Sequence, residues 1–115
     1  MANSVVHFEV TGQDLEKLEG FYRDLFDWNV QDVPEMNYAM VEKEGDGIAG
    51  GIGRSPDGGP GHVTFYVGVD ELQPVLDRAE QLGGKTVMPP MDLPQVSIAL
   101  FADPEGHVIG LAKSN

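Results

Sequence analysis

The chain contains no cysteine. That excludes a disulfide, a thiolate nucleophile and a Cys-based zinc site. Basic residues are scarce: 7 Lys and Arg stand against 19 Asp and Glu, a formal net charge of −12. They are scattered and never adjacent, whereas a duplex-binding surface needs a basic stripe that releases counterions. Nucleic acid is therefore not an expected partner, and the acidic balance favours neutral or cationic small ligands. No apolar run approaches the roughly 20 residues that span a bilayer. Met1-Ala2-Asn3-Ser4 lacks the basic and apolar regions of a secretory leader. These absences predict a soluble, cytoplasmic chain with no membrane partner. What is present suffices for a core: 41% of the 115 residues are apolar, and the length suits one domain.

Val5-Val6-His7-Phe8-Glu9-Val10 alternates as a strand, with Val6, Phe8 and Val10 on one face and Val5, His7 and Glu9 on the other. A helix follows, capped by Thr11 or Gly12 with Asp14 in its first turn. Leu15, Leu18, Phe21, Tyr22 and Leu25 recur at helical spacing and predict its buried stripe. Short strands are expected over 28–33, 37–43 and 48–54. The run Ser55-Pro56-Asp57-Gly58-Gly59-Pro60-Gly61 reads as a linker. The pattern then restarts. Val63, Phe65 and Val67 alternate with His62, Thr64 and Tyr66. Asp70 caps a second helix with Gln73 three residues on, whose stripe is Leu72, Val75, Leu76, Ala79 and Leu82 and whose stop is Gly83-Gly84. Strands are expected over 86–88, 95–101 and 108–113. Met88-Pro89-Pro90-Met91 is a connector, or a flap at a cleft mouth.

The chain thus reads as two copies of strand, helix and three strands, over 1–53 and 62–115 with a linker at 54–61. Neither copy buries its own sheet face well, so the two are expected to pair within one α+β domain with the helices outside. The other strand face then lines a cleft with His7, Glu9, His62, Thr64 and Tyr66. Tyr38, Met40, Tyr66, Met88, Met91 and Phe101 are candidates for an apolar lining, with core packing the alternative for each. Trp28 is read as core and His107 as a surface residue after a turn.

This duplicated pattern resembles the vicinal oxygen chelate superfamily of glyoxalases, bleomycin resistance proteins and extradiol dioxygenases. The residues that carry the likeness are Val6-His7-Phe8-Glu9-Val10 with Asp14-Leu15, Phe21-Tyr22-Arg23-Asp24-Leu25-Phe26-Asp27-Trp28, Val67-Gly68-Val69-Asp70-Glu71-Leu72, Leu82-Gly83-Gly84-Lys85 and Phe101-Ala102-Asp103-Pro104-Glu105-Gly106-His107. The resemblance implies two βαβββ modules in a half-open, eight-stranded curved sheet. It also implies a divalent metal held by His and Glu from the first and last strands of each module, chelating a substrate with neighbouring oxygens. Carried over, His7 takes the first ligand position and Thr64 its counterpart. His62 lies one pleat away, Gly110 stands where the last-strand carboxylate belongs, and module one offers only Gly50 or Gly51 at the matching point. A catalytic metal normally needs about three protein ligands, so no metal or other cofactor is expected, with His7 and His62 as the weak candidates.

The expected function is metal-independent binding of a small organic molecule. Its ligand-binding residues would be His7, Tyr38, Met40, His62, Thr64, Tyr66 and Phe101, with His7 and Glu9 as the catalytic candidates if chemistry follows. The alternatives are a metal-dependent lyase, epimerase or dioxygenase using His7 with His62 and Glu9, and a non-catalytic interaction domain. A homodimer is expected, because a short chain with a wide sheet has open edges to cover.

Overall fold

A computed structural model describes residues 2–114. Eight strands in mixed sheet and two helices make an α+β fold, as the sequence pattern predicted. The described residues divide into two compact units: one runs His7–Val63, and the other joins the chain from Thr64 onward to the residues before His7. Among the described residues no helix is long and apolar enough to cross a membrane.

In the first unit the strands are β1 (Val5–Gly12), β2 (Val30–Val33), β3 (Tyr38–Val41) and β4 (Ala49–Arg54), in the order β2-β3-β4-β1. β4 runs parallel to β1, and the other pairs are antiparallel. Helix α1 (Leu15–Phe26) is capped by Asp14, whose carboxylate accepts from the Lys17 N–H at 3.1 Å. The cap is thus Asp14, because β1 continues through Gly12 and consumes Thr11 and Gly12. Ala39, Val41 and Ile52 are buried under the helix side of the sheet. The predicted helical stripe needs correction. Phe21 and Leu25 are each 58% exposed, while Glu19 is buried. The strand expected from Trp28 starts later, at Val30, and a 3₁₀ turn over Pro34–Met36 precedes β3.

The second unit repeats this plan. Its strands are β5 (Val63–Gly68), β6 (Lys85–Asp92), β7 (Val96–Ala102) and β8 (Val108–Ser114), ordered β5-β8-β7-β6. β8 is parallel to β5 and antiparallel to β7. Helix α2 (Leu72–Gln81) packs Leu72 and Leu76 on Ala99 and Leu111. Its cap is Glu71 in extended backbone, with no side-chain capping bond, in place of the expected Asp70. Leu82 leaves the stripe because it follows the helix end and is exposed. Met88-Pro89-Pro90-Met91 is neither connector nor flap but the middle of β6. Two prolines are tolerated there because β6 is paired only on its β7 side and shifts register around them.

Candidate functional site in the first module

Alternation along β1 sends Phe8 toward α1, where its ring meets Trp28 at 5.2 Å, and sends His7 and Glu9 to the opposite face. The β3–β4 register places Tyr38 beside Gly53 and Met40 beside Gly51, while β1 places Glu9 beside Gly51. A side chain on Gly51 would overlap the Tyr38 ring and hydroxyl, and a Cβ on Gly53 would lie 2.8 Å from Tyr38 Cδ1. The two glycines are therefore a seat. They let the phenol ring lie flat across β4 and bring its oxygen over β1.

The result is a connected polar array. The Tyr38 hydroxyl donates to Glu9 Oε1 at 3.0 Å, and its oxygen lies 2.9 Å from His7 Nε2. Glu9 Oε2 accepts from His62 Nε2 at 2.8 Å. The phenol has one proton, and it points at Glu9, so the His7 contact requires an Nε2–H tautomer that donates to the phenol oxygen. Hydrogen bonds thus run from His7 through Tyr38 to Glu9, and from His62 to Glu9. Burial holds the His7 imidazole below its ordinary value, against the pull of the Glu9 charge. The Glu9 side chain is 12% exposed and that of His62 39%, so the array is reached from the His62 side.

The glycine-rich segment that reads as a linker positions His62. Thr11 N–H donates to the His62 carbonyl at 2.8 Å, and His62 N–H donates to Thr11 Oγ1 at 2.9 Å. Gly61, at φ 82, makes this possible, because a Cβ there would collide with the Thr11 carbonyl. Ser55 and Asp57 close the preceding turn through a 2.7 Å side-chain bond.

The predicted site residues therefore part ways. His7, Glu9, Tyr38 and His62 come together. Met40 lies on the same strand face as Tyr38, 39% exposed. Thr64 is buried in the second unit, and its hydroxyl donates to the Val108 carbonyl at 2.7 Å. Tyr66 lies over Gly110, whose Cβ position its ring fills. Phe101 packs against the core of α2, so its placement in a ligand site is corrected: its register partner is Ile109, on the sheet face opposite Tyr66 and Gly110. The role of Tyr38 as the bridge escaped the sequence reading. The signal was the run Gly50-Gly51-Ile52-Gly53, since a strand with alternate side chains missing invites a large ring to lie across it.

The donor set does not fit the metal that the resemblance implies. The Tyr38 phenol stands between His7 and Glu9. Of the glycines at the carboxylate positions that the resemblance implies, Gly51 and Gly110 are each roofed by a tyrosine and Gly50 by Phe8. Among the described residues no group of three His, Asp or Glu side chains is arranged to hold a metal ion.

Residues 4–111 match the Glyoxalase/Bleomycin resistance protein/Dioxygenase superfamily. The chain belongs to this superfamily. It is 29% identical to "Putative glyoxylase CFP32" of Mycobacterium bovis, over 96% of this chain and 44% of that protein. It is 28% identical to the anthracycline biosynthesis protein DnrV of Streptomyces peucetius, over 86% of this chain and 42% of that protein. It thus spans less than half the length of these curated relatives. Among solved structures, a superfamily member from Vibrio splendidus shares the fold, with a TM-score of 0.68 at 16% identity over 98% of this chain and 100% of that one.

Proposed function

We propose that the chain binds a small organic molecule at the His7–Tyr38–Glu9–His62 array, without a metal. The observation that carries this reading is the Tyr38 hydroxyl, held between His7 and Glu9 where a metal would need their lone pairs. Glu9 is an acceptor for a ligand hydroxyl or amine, and the phenol oxygen can exchange its partners for those of a ligand. Anthracycline-type compounds lead the screen, on the strength of the DnrV likeness. A bound compound should raise the melting temperature in a concentration-dependent way, and Glu9→Gln and Tyr38→Phe should each weaken that shift about tenfold or more in apparent affinity. Stoichiometric zinc, nickel, iron or manganese held through His7 in purified protein would overturn the metal-free reading.

A second reading is acid–base catalysis on the bound molecule. Its support is His7, whose imidazole burial holds below its ordinary value, joined through a phenol to a carboxylate, a path along which a proton can pass. Exchange of a substrate C–H proton with deuterated solvent, lost in Glu9→Gln, is its test. We also propose a homodimer in the cytoplasm. Phe21 and Leu25 lie exposed on α1, β2 and β6 are edge strands, and a chain without cysteine gains nothing from an oxidising compartment.

A further inference from the structure

The other face of the first module carries a second feature that the array does not use. Trp28, the only tryptophan, follows α1 and gathers the aromatic side chains around it. Phe8 lies 5.2 Å from it, Phe26 5.1 Å, and Tyr22 stacks on it at 5.6 Å with the planes 11° apart. Beside this cluster opens a groove of about 430 Å³, walled by Phe8, Phe26 and Trp28. Three carboxylates, those of Asp27, Glu42 and Glu44, stand at the same groove. Among the described residues none of the three pairs with a basic side chain. Glu42 is steadied by the amides of Asn29 and Gln31, which are neutral and leave its charge uncompensated.

We infer that this groove is a binding site for a small organic cation with an aromatic or alkyl body. The aromatic walls offer π-faces that attract a weakly hydrated ammonium. The carboxylates supply the complementary charge in a chain of net −12. An anion is excluded by the same three groups, and a neutral apolar molecule gains the walls alone. The site is separate from the His7–Tyr38–Glu9–His62 array, because Phe8 points to the opposite sheet face from His7 and Glu9.

The single tryptophan is also the probe. Benzyltrimethylammonium titrated into the whole chain should change Trp28 emission in a saturable way. Its uncharged isostere, neopentylbenzene, should bind roughly fivefold more weakly, and benzoate should leave the emission unchanged. Added salt should weaken the cation and not the neutral compound. Glu42→Gln/Glu44→Gln, which removes two of the three carboxylates at the groove, should reduce the preference for the cation, while Phe26→Leu should weaken both compounds. Glu9→Gln should leave the response intact, so that failure of the array and failure of the groove are told apart. Equal binding of the cation and its isostere overturns the inference. So does an emission change that follows protein concentration and not the added compound, since a second copy would then cover the groove.

Discussion

At the residue scale the decisive groups are the ones with the least side chain. Gly51 has no room for a methyl, because the Tyr38 ring occupies its place. Gly51→Ala should therefore displace the phenol and cost on the order of 1–3 kcal/mol by overpacking, a melting decrease of about 5 °C or more. Tyr38→Phe keeps the ring seated and should melt closer to the parent, yet it should lose the His7 Nε2–H tautomer, read by nitrogen NMR, as fully as Gly51→Ala does. A tautomer unchanged in both variants rejects the bridge. Glu19 offers a second residue-scale test. A hydrogen bond to Asp32, burial and the Asp32 charge push its carboxyl from 4.5 up to about 7, against Arg23 and with a smaller push from Glu16. A raised acid favours the folded state while protonated. Its contribution is thus complete below about pH 4.5 and is lost as pH rises through about 7. Glu19→Gln should match the parent in melting near pH 4.5 and exceed it above pH 7 by on the order of 3 °C. A constant difference across that window contradicts the assignment.

At the element scale, α2 begins without a capping side chain, since Glu71 sits at the cap in extended backbone and its carboxylate reaches Lys113 at 3.3 Å. An exposed ion pair of this kind contributes little, whereas a serine hydroxyl at the cap accepts an orphan helix N–H. Glu71→Ser should stabilise the chain by about 0.5–1 kcal/mol, measured by urea denaturation with the slope unchanged. A loss of stability would show that the Lys113 pair outweighs the cap. The end of α1 is a contrasting case, because Asp27 closes it in left-handed backbone at φ 56 and the same aspartate stands at the cation groove.

At the scale of the whole molecule, the homodimer is tested by sedimentation at micromolar concentration and moderate salt. A species of about twice the chain mass is the expected outcome, with an apolar interface on the order of 1,200–2,000 Å². The net charge of −12 opposes association, but salt screens it beyond roughly 10 Å at 0.1 M. A monomer at every concentration rejects the dimer. It would leave the first-module array standing, because His7, Glu9, Tyr38 and His62 all lie within one compact unit.

The sequence by itself determined the duplicated module, the two helices and the strand faces, because these follow from local periodicity. Val6-His7-Phe8-Glu9-Val10 admits one strand register once Phe8 must be covered, and that register puts His7 and Glu9 side by side. Carried over from the resemblance, it also put glycine at the implied carboxylate positions, Gly110 and either Gly50 or Gly51. Tertiary structure decided the rest. Phe101 alternates as well as Tyr66 does, but only the β7–β8 pairing shows that it faces α2. Glu19 lies outside the stripe that periodicity marks on α1, and packing of the helix buries it. Tyr38 is 29 residues from Glu9 and 31 from His7, so no local spacing joins them. They meet because β4, lying between their strands, offers glycines where side chains would otherwise hold them apart, and a contact made across an intervening strand is fixed by pairing order, which local periodicity does not encode.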